Sequence, residues 1–174
     1  MDYISTRGQS PAVDSAQAVL SGLAPDDGLY MPRAIPAFDW QHCLALSAQQ
    51  MSAAILSALL PDIPNMDALV KRAYTGKFET EDLTPTVPVG DFQVLELFRG
   101  PTSAFKDVAL SMLPQLLTAA KQKKGIAQEI RILTATSGDT GKAALVGFQD
   151  VPGVSICVFY PFGGVSQVQR AQMV

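Results

Sequence analysis

Two polar hand-overs from strand to helix constrain this chain more than anything else in it. From Asp91 onward, apolar runs with strand character alternate with helical spacing: FQVLELF, SAFKDVALSMLPQLLTAAKQ, EIRILTA, TGKAALVGF, VSICVFY, then VSQVQRAQMV as a helix start. Such alternation predicts a parallel α/β sheet, because parallel strands need a crossover and a helix is the usual one. In a sheet of that kind the carboxyl ends of the strands share one edge, which forms the ligand crevice. FRGPTSAFKD and LTATSGDTGK both fall at that edge. Pro114 is expected to kink or split the first helix, since it cannot donate to the carbonyl of Leu110.

The 174 residues are 48% hydrophobic and 17% charged, with a net charge of −3, enough core material for one ordinary domain or two small ones. Lys plus Arg total 13 against 16 Asp plus Glu with no basic block, so nucleic acid is not an expected partner. MDYISTRGQS has no signal-peptide core, and MSAAILSALL is too short and interrupted to span a bilayer, which fits a cytoplasmic or organelle-matrix enzyme and no membrane partner. Cys43 and Cys157 lack zinc-site spacing, so no metal is expected; Cys157, within VSICVFY, reads as a small buried thiol. His42 is the single histidine and has no nucleophile signature beside it.

Residues 1–85 carry helix-like patches and little visible chemistry. Asp14 or Ser15 can cap AQAVLSGL, Asn65 can cap MDALVKRAY, and residues 40–60 have helical apolar spacing. The prolines of residues 84–88, TPTVP, predict an extended connector into a second part, residues 86–174. The last segment ends inside a helical pattern with neither cap nor turn residue, so the chain is expected to be truncated.

Thr102 or Ser103 can cap the helix that follows the first hand-over, which places Lys106 in its first turn at the crevice edge. The positive helix end and a dry pocket both favour the uncharged, nucleophilic amine that Schiff-base chemistry needs. The alternative is an ordinary surface lysine paired with Asp107 or another carboxylate. At the second hand-over, Thr136, Ser137, Asp139 and Thr140 offer oxygens. Gly138 and Gly141 let backbone approach a ligand, and the next helix presents unpaired amides to an anion. A plain turn capped by Asp139 or Thr140 is equally permitted. SGDTGK is not a nucleotide P-loop, because Thr136 and Ala143 stand where that motif needs Gly and Ser or Thr.

DYISTRG, DDGLYMP, LELFRGPTSAFKDVAL, ILTATSGDTGKAAL and YPFGGVSQVQRAQM, in this order and spacing, resemble the N-terminal third of the threonine synthase family over essentially the whole chain. The family usually has DGGLY where this chain has Asp27, His where it has Arg99, and a Pro after the VS preceding Gln167.

The resemblance implies an α/β fold: an N-terminal, mostly helical accessory region of threonine synthase type (1–85), then the first part of a parallel-sheet, tryptophan-synthase-β-like, fold-type-II pyridoxal-phosphate domain (86–174). It implies that Lys106 bonds to pyridoxal 5′-phosphate, that Phe105 and Asp139 also contact the cofactor, and that Thr136, Ser137, Gly138 and Thr140 hold the substrate carboxylate. The implied reaction is conversion of O-phosphohomoserine and water to threonine and phosphate. An Asp at 139 beside the cofactor's phenolic oxygen would put two anionic oxygens together, so one of them is expected to carry a proton. The family's cradle for the cofactor phosphate and its ring-nitrogen partner match nothing in these residues, so the chain alone is expected to be inactive and to bind the cofactor weakly at best. Rival readings are another fold-type-II enzyme, such as a threonine dehydratase or a cysteine-synthase-like protein, and a non-catalytic binding module. Oligomeric state is not legible.

Overall fold

The computed structural model describes residues 1–136 and 138–174. The elements, in order, are β1 (Asp2–Ser5), β2 (Val13–Asp14), α1 (Ser15–Ser21), β3 (Tyr30–Pro32), α2 (Trp40–Cys43), α3 (Ala48–Leu59), α4 (Met66–Tyr74), β4 (Thr86–Val89), β5 (Phe92–Leu95), α5 (Asp107–Lys123), β6 (Ile130–Ala135), α6 (Asp139–Phe148), β7 (Val154–Phe159) and α7 (Gln167–Ala171). They divide into two compact units, one of residues 1–70 and 116–127, the other of residues 71–115 and 128–174.

In the first unit, α1 begins where the sequence places a cap. The Asp14 carboxylate accepts from the Gln17 amide at 2.8 Å. Ser15, wholly buried, donates its hydroxyl to Asp62 at 2.8 Å, which ties the start of α1 to the segment after α3. The helical spacing of residues 40–60 resolves into α2 and α3, because Ser47 and Gln50 form a reciprocal capping box that starts a new helix. Asn65 does not cap α4 with its side chain; it stands in a left-handed conformation (φ 58°) and its carbonyl accepts from Ala68 and Leu69. The small antiparallel sheet, in order β2-β1-β3, has no counterpart in the sequence reading, since two-to-four-residue strands are too short to show alternation. Tyr3 on β1 is buried and donates its hydroxyl to the Leu59 carbonyl, and Ala16, Ala53, Leu60, Ile63, Met66, Leu69 and Val70 are buried with it.

The second unit departs from the expected sheet in one respect. β5 does not join the parallel sheet; it pairs antiparallel with β4, Thr86 facing Leu95 and Val89 facing Phe92, through a turn at Gly90 (φ 59°). The prolines that predict an extended connector therefore sit at and beside an edge strand, which tolerates the missing donor. β6 and β7 are parallel as expected, from Ile130 opposite Val154 to Ala135 opposite Phe159, with α6 as the crossover. Ile130, Ile132 and Thr134 lie on the less exposed face of β6, whereas Arg131, Leu133 and Ala135 on the other face are exposed. Cys157 shares that exposed face of β7 with Phe159, so the expectation of a buried thiol fails: strand alternation, not the apolar character of its neighbours, decides which way it points.

Pro114 does not split α5, which is continuous from Asp107 to Lys123. Pro114 is fully buried, and a Cβ added to Gly147 of α6 would strike the carbonyl oxygen of Leu110, the group that Pro114 leaves without its helical donor. Close approach of α6 to α5 at this point is thus built on a glycine against a carbonyl.

Candidate active site

The GPTSAFKD loop is organised around Asp107. Its carboxylate, 2% exposed, accepts from the Thr102 amide at 2.8 Å, the Thr102 hydroxyl at 2.6 Å and the Ala104 amide at 3.4 Å. Gly100 is required because a Cβ there would lie 2.5 Å from the Asp107 side chain, and Ser103 closes the turn in a left-handed conformation (φ 56°). Thr102 is consequently not a helix cap. α5 begins at Asp107, so Lys106 stands immediately before the helix and not in its first turn, a correction to the sequence expectation. Its side chain is half-buried, and Nζ lies 4.5 Å from the centroid of the Phe105 ring, itself 61% exposed. Among the described residues Lys106 takes part in no salt bridge; the Asp107 carboxylate, its expected competitor, is engaged by Thr102 instead.

The polar turn follows β6. The Thr136 amide donates to the Phe159 carbonyl, and the Thr136 hydroxyl accepts from the Gly138 amide at 3.3 Å. Gly138 occupies the cap position of α6 with no side-chain cap bond, so neither Asp139 nor Thr140 is consumed as a cap. A Cβ at Gly138 would lie 2.7 Å from Nε2 of Gln169, and one at Gly141 would strike Thr136 and meet Val158 at 3.0 Å; the turn is packed backbone to side chain. Asp139 pairs through Oδ1 with the Nζ of Lys142 at 3.3 Å. That lysine holds the Asp139 carboxyl below the usual carboxylate range, first by hydrogen bonding and then by its charge; Gln169 and the charge of Lys106 add to the pull and partial burial opposes it. Lys106 and Asp139 are thus close enough to feel one another.

The structure therefore brings Lys106, Phe105 and Asp139 into one unit, with Thr136, Gly138 and Thr140 on the turn that carries Asp139. Ser137 lies outside the described residues. Three participants escaped the sequence reading. Asp107 was seen only as a competing partner for Lys106. Lys142 was noted only within a rejected nucleotide motif. Gln169 had a usable signal, the S-x-x-Q capping box with Ser166 that starts α7, in which Gln169 accepts from the Ser166 amide at 3.1 Å while packing over Gly138. A depression lined by Glu129, Arg131, Leu133, Ser155, Ile156 and Cys157 contains none of these groups.

A sequence model described as threonine synthase N terminus matches residues 2–74. Threonine synthase of Methylobacillus glycogenes is 39% identical over 99% of this chain and 39% of its own length. The structure superposes with a TM-score of 0.90 on pyridoxal-phosphate-bound threonine synthase from Brucella melitensis, at 38% identity, covering 99% of this chain and 38% of that one. Over nearly its whole length the chain is similar to threonine synthases. Yeast threonine synthase agrees, with a TM-score of 0.88 at 36% identity over 99% of this chain. The chain thus spans about two fifths of the length of the threonine synthases it matches. Against that family's usual pattern, Asp27 and Arg99 now have structural readings. Asp27 takes a left-handed conformation (φ 61°), the kind of position glycine fills at least cost. Arg99 donates to Glu79 at 2.8 Å and to Glu96 at 2.6 Å and lies over the Phe98 ring, so it anchors the residues just before Gly100.

Proposed function

We propose that this chain supplies the reactive lysine and the substrate-carboxylate turn of a pyridoxal-phosphate-dependent threonine synthase, which converts O-phospho-L-homoserine and water to L-threonine and phosphate in the cytoplasm. The observation that supports the reading is the occurrence of Lys106, held outside any salt bridge among the described residues, together with a polar turn whose Asp139 carboxyl feels the Lys106 charge. In this reading residues 1–85 are the accessory region, and residues 86–174 open a fold-type-II domain.

The donor set fits the cofactor. Lys106 offers a primary amine for an aldehyde, Phe105 an apolar ring beside that amine, and Asp139 a carboxylate held by Lys142 toward the same crevice. When bound, pyridoxal phosphate supplies an electron sink for carbanion chemistry at the substrate's α and β carbons. Lys106, once released, is placed to take and return protons at those two carbons. Thr136, Gly138, Thr140 and, outside the described residues, Ser137 would fix the substrate carboxylate with hydroxyl and amide donors at the start of α6, where the helix end favours an anion. Loss of phosphate from Cγ and addition of water at Cβ then complete the exchange.

Protein produced from the gene encoding this chain is expected, with pyridoxal phosphate present, to release phosphate and threonine from O-phosphohomoserine, and Lys106→Ala to reduce that rate by at least ~10³-fold. Deamination of threonine or sulfide-dependent cysteine formation in its place would point to the rival fold-type-II chemistries; no reaction of any kind would favour a binding module.

A further inference from the structure

Lys142 is the one buried cation among the described residues, 8% exposed on α6. A buried ammonium is costly unless it is paired, and its partner is Asp139, three residues earlier on the same helix, whose side chain is 52% exposed. The ion pair therefore has one end inside the protein and the other toward solvent. The charged groups set against Asp139 are Lys142 on α6 and Lys106 from the segment before α5, joined by the uncharged Gln169 of α7. The Asp139 carboxylate feels the Lys106 charge, whereas Asp107, next to Lys106 in sequence, is already committed to Thr102 and Ala104. That leaves Asp139 as the acid able to close on Lys106, and Lys142 as the group that occupies it.

We propose that Lys142 is a positioning residue: it engages the Asp139 carboxylate from inside the protein and so keeps it from salt-bridging Lys106, which leaves the Lys106 amine available to an aldehyde. The two lysines divide the work, one neutralising the acid of the turn and the other remaining reactive. This rests on the pyridoxal-phosphate reading for its purpose, but the charge arrangement exists without any cofactor. It also answers the question raised by an acid at position 139: the neutralising charge comes from a lysine of the same helix.

Competitive labelling of the chain with acetic anhydride across pH, with peptide mass mapping, reads the free-amine fraction of Lys106 in the absence of cofactor. Lys142→Met keeps the buried stem and removes the charge. The freed carboxylate then stabilises the Lys106 ammonium, so the pH of half-labelling at Lys106 is expected to rise by about half a unit or more. Lys142→Arg should restore the wild-type value, and adding Asp139→Asn to Lys142→Met should abolish the rise. An unmoved Lys106 profile in Lys142→Met, or a rise that survives Asp139→Asn, overturns the proposal. Lys142→Gln stands in if circular dichroism shows the methionine variant unfolded. Failure of pyridoxal phosphate to react at Lys106 in the protein produced from the gene encoding this chain would instead overturn the cofactor reading and leave the labelling result standing.

Discussion

Asp27 shows how a single departure from a family pattern becomes a physical statement. Its neighbour Asp26 accepts from the Ser5 hydroxyl at 2.6 Å and from the amides of Gln9 and Gly28, contacts that lower its carboxyl to about 2. Gly28 packs so closely that a Cβ would strike the Ser5 hydroxyl. Between these two fixed residues Asp27 is carried into left-handed space, which costs a non-glycine residue free energy. Asp27→Gly is therefore expected to stabilise the protein by about 0.5–1 kcal/mol, part of the relief being offset by the greater freedom of glycine in the unfolded chain. Chemical-denaturation midpoints of the two proteins check this, and an unchanged or lower midpoint would contradict it. At this scale the sequence was informative where a residue's chemistry acts locally, as for the Asp14 cap. It was silent where a side chain's partner comes from a distant segment: nothing in the spacing of Ser15 and Asp62 announces their hydrogen bond, and nothing in the GPTSAFKD wording tells whether Asp107 turns toward Lys106 or away from it.

Among the elements, the loop before α5 matters most, because it decides where the Lys106 amine stands. The sequence indicates a hand-over at this point and the helix after it, yet it misplaces the helix start: Thr102 reads equally well as a cap or as a donor to a later carboxylate. Replacing Asp107 by Ala would leave the Thr102 amide, the Thr102 hydroxyl and the Ala104 amide without their acceptor in a buried place. That is expected to cost about 3 kcal/mol. Asp107→Asn, which keeps one acceptor oxygen, is expected to lose clearly less. Equal losses in the two variants, measured by denaturant unfolding, would show that burial and not hydrogen bonding fixes the loop. The parallel pair β6–β7 was legible because six-residue runs show their character. The β4–β5 hairpin was not, because a four-residue strand followed by a turn and another strand carries the same local pattern whether it pairs with its neighbour or with a sheet elsewhere. The sequence does not tell that α5 runs through Pro114 unsplit, because the cost of a proline inside a helix depends on what packs against the carbonyl it strands, here Gly147.

Across the whole molecule, the likeness to threonine synthases extends over nearly all of this chain, while the chain covers about two fifths of the relatives' length. Parallel sheets are as a rule covered on both faces, whereas Leu133 and Phe159 are 65% and 58% exposed on one face of β6–β7. No helix among the described residues is long and apolar enough to cross a membrane. The proposed function hinges on Lys106, one of seven lysines in the chain. Borohydride reduction of the protein produced from the gene encoding this chain, mixed with pyridoxal phosphate and followed by mass mapping of the modified peptides, tests that directly. The pyridoxyl group is expected on Lys106 ahead of the other six, and Lys106→Ala is expected to remove the preferred label without directing it elsewhere. Label spread evenly over the exposed lysines, with Lys106 no more reactive than the rest, would contradict the account.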